Sequence, residues 1–243
     1  MTAYQRVLRE VYIWSKLNHE NIITLLGITT VFDHSISIVS PLMTRGNVFD
    51  YVQNTDVDPR PLILEIANAL HYLHTYEQGS IIHGDIKGAN VLISDDGQAL
   101  LADFGFSVAI NSSFNMIVPS YDKLKGTINW MSPELIDISR VSAEADVWAF
   151  GMTALELFTR KSPFYYLRVF SAVISKIMRG HVPEHPSIED TCSRMSNMWW
   201  DMCTHCWKYD PASRPTMEYI VKHIEKMVRR LVYRRWHYFD QSL

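Results

Sequence analysis

Apolar residues recur at helical spacing at Val7, Leu8, Val11, Trp14 and Leu17, which predicts one amphipathic helix over residues 3–17. Two β-rich runs follow, at 22–31 and 35–39, separated by the turn-forming residues FDHS. Asp58 offers an N-cap and Pro59 a first helical residue. Ile63, Ile66, Ala67, Leu70 and Leu73 then fall on one face of a helix predicted to reach about Tyr76. Short strands are predicted at 81–82, 91–93 and 99–102, with Asp95, Asp96 and Gly97 turning the chain between the last two. Residues 104–133 are polar and irregular, and a loop of that length inside a domain is usually functional or mobile. Ser142 caps a strongly apolar helix ending near Arg160, and the remainder reads as helical. A few strands followed mostly by helices predict an α+β fold.

Composition narrows the function classes. The 243 residues are 47% apolar, enough for a sizeable core. A net charge of -3 gives no general pull towards nucleic acid or an anionic membrane. Arg229, Arg230, Arg234 and Arg235 are the one basic cluster, read as the solvated face of a last helix. The longest apolar stretch, ADVWAFGMTALELF, contains Asp146 and Glu156 and is too short to span a bilayer. The amino terminus lacks the apolar core of a secretory signal, and three cysteines suit a reducing compartment. A soluble, cytoplasmic protein without membrane insertion or nucleic-acid binding is the expectation.

The densest chemistry lies in HGDIKGAN, residues 83–90, where His83, Asp85, Lys87 and Asn90 crowd one turn. Alone, such a stretch is an ordinary polar turn. It is followed by DFG at 103–105, GTINWMSPE at 126–134, DVWAFG at 146–151 and DPASRP at 210–215. In this order and spacing the motifs resemble the eukaryotic protein kinases over about residues 3–225, with wording closest to the tyrosine-kinase-like group. The fold implied is protein-kinase-like, with an intact helical C-lobe at 44–228, a partial N-lobe at 1–43 and a basic tail at 229–243.

The resemblance also implies roles. Phosphoryl transfer depends on positioning and charge neutralisation rather than covalent chemistry. Asp85 would orient or accept the proton of the substrate hydroxyl, and Lys87 would face the transferring phosphate. Asn90 and Asp103 supply the hard oxygen ligands that Mg²⁺ prefers. ATP would hang from the hinge, with Ser40 as gatekeeper, the carbonyl of Pro41 and the N–H of Met43 towards adenine, and Leu92 beneath it. Glu134 and Arg214 would form a buried ion pair, and Asp146 would hold the backbone of the 83–90 loop. Trp14, Leu25, His83 and Phe104 would stack as an apolar spine. Lys87 and Thr127 match serine/threonine rather than tyrosine specificity.

Two departures stand out. Gly84 replaces the arginine most family members carry before the catalytic aspartate, so no ordering through a phosphorylated loop is expected at this position. Ser112, Ser113, Ser120 and Tyr121 are candidate phosphosites, and read first as plain loop residues. Glu10 matches the glutamate of the family's regulatory helix, yet no lysine and no glycine-rich stretch precede it in these residues. The first three N-lobe strands are therefore expected to be missing. Uncovering ~100 Å² of adenine contact costs ~2.5 kcal/mol. Losing a lysine–phosphate bond costs ~1.5–3 kcal/mol more. Together these would weaken nucleotide binding by ~10³-fold. The expected alternative to an active kinase is thus a pseudokinase-like interaction module, with a protein partner covering the exposed edge of the small lobe.

Three lookalikes are read as structural. Cys203, His205 and Cys206 lack further ligands at zinc spacing. His71 and His74 are read as packing residues, and Trp199, Trp200 and Trp207 as core.

Overall fold

The computed structural model describes residues 3–31, 36–109 and 127–240. The FDHS turn, Gly126 and the candidate phosphosites Ser112, Ser113, Ser120 and Tyr121 lie outside the described residues, as do the side chains of Arg230, Arg234 and Arg235.

The first helix, α1, covers Ala3–Trp14. It stops short of the predicted residue 17 because Trp14 turns inward, its indole Nε1 donating to the carbonyl of Ile23 at 2.6 Å. The chain then runs through 22–26 and pairs as β1 (Gly27–Thr29) with β2 (Ser37–Val39), antiparallel, Gly27 opposite Val39. The predicted strand over 22–31 is thus shorter. Ile22 instead bridges Leu101, and Ile23 donates its N–H to the carbonyl of Leu101, so this stretch clasps the rest of the molecule.

A short helix α2 (Val48–Tyr51) leads to α3 (Pro59–His74), started by Asp58, whose side chain accepts from the Arg60 N–H. The five apolar positions expected on one face of α3 are all buried. The helix ends two residues before Tyr76 because the Thr75 hydroxyl donates to the carbonyl of His71 and closes the last turn. Two hairpin-like pairs follow. β3 (Ile81–Ile82) pairs with β6 (Val108–Ala109), and β4 (Val91–Ile93) with β5 (Ala99–Leu101), all antiparallel.

Helices α4 (Pro133–Ile138), α5 (Ala143–Thr159), α6 (Phe170–Met178), α7 (Asn197–Cys206) and α8 (Met217–Asp240) build the larger region. α5 is mostly apolar on every side and buried along nearly its whole length, as a central pillar must be. Ser142 caps it by accepting from the Ala145 N–H, and Arg160 ends it in the left-handed conformation. One continuous core joins Ile13, Trp14 and Ile23 of the small region to α3, α5, α7 and α8. Cys203 and Cys206 are fully buried in that core, and burial pushes the Cys206 thiol up to about 12, so both are inert packing groups. Trp199 and Trp207 are buried with them. No described helix is long and apolar enough to cross a membrane.

Candidate active site

The 83–90 loop hangs between β3 and β4, and α5 pins it from beneath. Asp146 accepts two backbone N–H groups, from His83 on Oδ2 and from Gly84 on Oδ1, both at 2.8 Å. His74 Nε2 sits 3.0 Å from the same Oδ2. This is a polar role for a residue read as packing, and the α3–α5 crossing alone creates it. Gly84 has φ +80, and a Cβ there would lie 3.1 Å from the carbonyl of Phe106. The position expected from the family to carry arginine is here a left-handed backbone pressed against the 103–109 segment, which glycine adopts without strain.

Asp85 is buried, and its two carboxylate oxygens differ. Oδ2 accepts from Lys87 Nζ at 2.8 Å and from Asn90 Nδ2 at 2.7 Å. Oδ1 is buried with no hydrogen-bond partner among the described residues. Leaving one such acceptor unsatisfied costs about 1–3 kcal/mol, a cost that a hydroxyl donor would remove. Lys87 Nζ also donates to Thr127 Oγ1 at 2.8 Å. Asn90 spends its amide nitrogen on Asp85, donating to the backbone carbonyl as well at 2.8 Å, which leaves its oxygen as the acceptor end.

Asp103 lies beside this cluster. The N–H of Ala102 donates to the carbonyl of Asn90 at 2.9 Å, holding the start of β4 beside the end of β5, where the two predicted cation ligands lie. Asp103 is exposed, has φ 62, and its Oδ1 accepts from the Gly105 N–H at 3.3 Å. A Cβ on Gly105 would sit 3.2 Å from Asp103 Oδ1 and 3.4 Å from Glu10 Oε2. Glu10 of α1 and Asp103 therefore converge on one glycine. No group of three or more His, Cys, Asp or Glu side chains forms a closed metal cage among the described residues. Asn90 and Asp103 each offer a hard oxygen donor, the ligand type that a Mg²⁺ keeping phosphate oxygens and water in its shell would need.

The proposed spine is present in part as ring contacts. Trp14 and Phe104 lie 5.5 Å apart between centroids, and His83 and Phe104 5.2 Å. Leu25 packs against the core without being fully buried. Arg9, next to Glu10, is itself buried and bonds the carbonyl of Ser107, so α1 grips the segment that follows Phe104. Burial lowers the pKa of that guanidinium.

Ser40, Pro41 and Met43 are half-buried and Leu42 is exposed, in the segment linking β2 to α2. The segment is tied to β4: the Ile93 N–H donates to the carbonyl of Gly46 at 2.9 Å, and Asn47 bridges Leu92. Leu92 is half-buried between buried Val91 and Ile93, on the other face of the strand from these two, and still packs against the edge of the core. At the far end, Arg214 grips Glu134 bidentately at 2.6 and 2.8 Å, with Arg214 fully buried. The arginine holds the Glu134 carboxyl below its ordinary range against the opposing effect of burial.

One buried acid was missed in the sequence. Glu156 looks like part of an apolar run, yet its Oε2 accepts from the Gly88 N–H at 2.9 Å and from the Trp130 indole at 3.1 Å. Its position ten residues after Asp146, deep within a mostly apolar helix, is the one signal in the sequence.

Comparison with known proteins identifies the family. Residues 1–224 match the model of the protein kinase domain. Similar proteins include Serine/threonine-protein kinase STY17 of Arabidopsis thaliana, 28% identical over 92% of this chain and 37% of its own length. Serine/threonine-protein kinase dst1 of Dictyostelium discoideum is 34% identical over 91% of this chain and 29% of its own length. MAP3K epsilon protein kinase 1 of Arabidopsis thaliana is 31% identical over 89% of this chain and 15% of its own length. The chain thus spans less than half the length of each of these relatives. With the family model covering nearly all of it, the chain belongs to the protein kinase domain family, and STY17 and dst1 are by name serine/threonine-protein kinases.

Proposed function

We propose that the chain transfers the γ-phosphate of ATP to serine or threonine hydroxyls of protein substrates in cytoplasmic signalling. The observation that carries this reading is the asymmetry of Asp85. One oxygen is held by Lys87 and Asn90, while the other is buried without a partner among the described residues. A substrate hydroxyl donating to Oδ1 would satisfy it and be aimed for attack. The new bond forms between that hydroxyl oxygen and the γ-phosphorus, and the bond from γ-phosphorus to the β–γ bridging oxygen breaks, releasing ADP. The hydroxyl proton passes to Asp85. Lys87, shared between Asp85 and Thr127, places a positive charge beside the transferring group. Asn90 and Asp103 would hold Mg²⁺, which when bound neutralises charge on the phosphates. Adenine would lie against Leu92, with Pro41 and Met43 offering backbone groups and Ser40 flanking it. Glu10 stands beside Asp103 on the phosphate side. On this reading residues 44–228 are the helical lobe, 1–43 the portion of the small lobe in these residues, and 229–243 a basic extension.

The test is Asp85→Asn in a phosphoryl-transfer assay with Mg-ATP and a generic protein acceptor. The substitution should lower the rate by ~10²–10⁴-fold, the usual worth of a positioned base. Near-wild-type turnover in the variant would remove Asp85 from this role.

A second reading is an interaction module covered by a protein partner. Leu26, Ile28, Val31 and Leu42 of the small region are exposed, Val31 at 83% and Leu42 at 85%. An open groove of about 540 Å³ lies between α1 and β1, lined by Val11, Trp14, Leu17, Leu25 and Ile28. Mg-ATP at 1 mM separates the readings. A clear rise in thermal midpoint supports nucleotide use by these residues, and no rise supports the module.

A further inference from the structure

Lys87 takes its position from two segments that are distant in sequence. It donates to Asp85 within its own loop and to Thr127 in the segment leading to α4, both at 2.8 Å. Beneath them, Gly88 follows Lys87 directly, and the Trp130 N–H donates to the carbonyl of Thr127 at 2.9 Å, locking Thr127 and Trp130 into one short turn. The Gly88 N–H and the Trp130 indole converge on the same atom, Glu156 Oε2. The contacts close a ring from Lys87 through Gly88, Glu156, Trp130 and Thr127 back to Lys87.

We propose that Glu156 is a positioning residue, whose single oxygen sets the distance between Lys87 and Thr127 and so holds Lys87 in place for phosphoryl transfer. The inference deepens the kinase reading above and rests on it for its catalytic consequence.

The seat is built for this contact. Glu156 is 3% exposed and stands on α5, the most buried helix of the molecule. A Cβ at position 88 would lie 3.1 Å from Glu156 Oε2 and 3.0 Å from Phe49 Cβ, so glycine is what permits the approach. Trp130 is buried as well. A side chain that served only to fill space would not need an oxygen here, and a buried carboxyl without donors would be costly. Two donors from different segments on one acceptor are what a tether requires.

The test compares Glu156→Gln, which keeps an acceptor oxygen, with Glu156→Leu, which keeps volume and loses it. With Mg-ATP and a generic protein acceptor, Glu156→Leu should lower kcat about 10- to 100-fold, the cost of a misplaced group, while KM for ATP moves less than about threefold. Glu156→Gln should restore kcat to within about threefold of wild type. A folded Glu156→Leu variant with wild-type kcat would overturn the proposal, as would a Glu156→Gln variant as impaired as Glu156→Leu. A second readout needs no turnover. The NMR resonance of the Lys87 ε-methylene should shift in Glu156→Leu and stay in place in Glu156→Gln, and an identical Lys87 signal in all three proteins would sink the idea. If the wild type transfers no phosphate at all, the kinase reading fails, and the Lys87 resonance still decides the tether.

Discussion

The two regions of this molecule solve the problem of burial differently. In the helical region three polar groups that enter the core have partners: Arg214 has Glu134, Asp146 has two backbone donors and His74, and Glu156 has Gly88 and Trp130. Its apolar side chains vanish from solvent, with Leu70, Trp148 and Phe158 at 0% exposure. In the small region only the inward side is finished. Ile13, Trp14 and Ile23 join the common core, while Leu26, Ile28 and Val31 point to water. The difference shows that the 83–90 loop is braced from beneath by side chains of α5, whereas the upper strands depend on contacts along one side.

The comparison can be broken experimentally. The largest effect should come from Arg214→Ala, which strands the half-buried Glu134 carboxylate beside the core. Chemical denaturation should show about 3–5 kcal/mol lost. A loss under about 1 kcal/mol would mean that the ion pair does not anchor this region. Leu70→Ala in α3 should cost about 2–5 kcal/mol, the range for a fully buried leucine.

A pH titration of stability sharpens the same point. Burial, partly offset by the Gly88 and Trp130 donors and by Lys87, raises the Glu156 carboxyl to about 7 from its ordinary 4.5. The folded state therefore holds a proton between about pH 4.5 and 7 that the unfolded chain releases. This contribution is fully present below 4.5 and is lost as pH rises through 7, amounting to up to about 3 kcal/mol. Denaturation midpoints of Glu156→Gln should lack that slope and exceed the wild type at pH 8. Parallel curves for the two proteins would show that Glu156 does not titrate in this window. The smallest effect belongs to the small region. Ile28→Ser, on a residue 47% exposed, should change stability by no more than about 0.5 kcal/mol. A cost like that of Leu70→Ala would erase the contrast between the regions.

Local patterns were enough for much of this protein. The apolar spacing in α3, the Asp58 and Ser142 caps and the Asp95–Gly97 turn were legible because each depends on residues within a few positions of one another. The family was legible because its motifs are short and lie in a fixed order. They also named the Arg214–Glu134 pair and the support that Asp146 gives to the loop, and both contacts are present in the structure. The shortened β1 and the early ends of α1 and α3 were not legible, since side-chain bonds from Trp14 and Thr75 and the clasp of Ile22 and Ile23 on Leu101 decide them.

By itself, the order of amino acids determined the helices, the chemistry concentrated at 83–90 and the kinase lineage. Only the tertiary structure decided that Asp85 keeps one oxygen without a partner among the described residues, that His74 joins Asp146, and that Glu156 ties Gly88 to Trp130. The physical reason is separation along the chain: Glu156 lies 68 residues from Gly88 and His74 lies 72 from Asp146. Periodicity and motif spacing report on near neighbours and on ancestry. A buried acid inside an apolar helix acquires its partners when other segments pack across it.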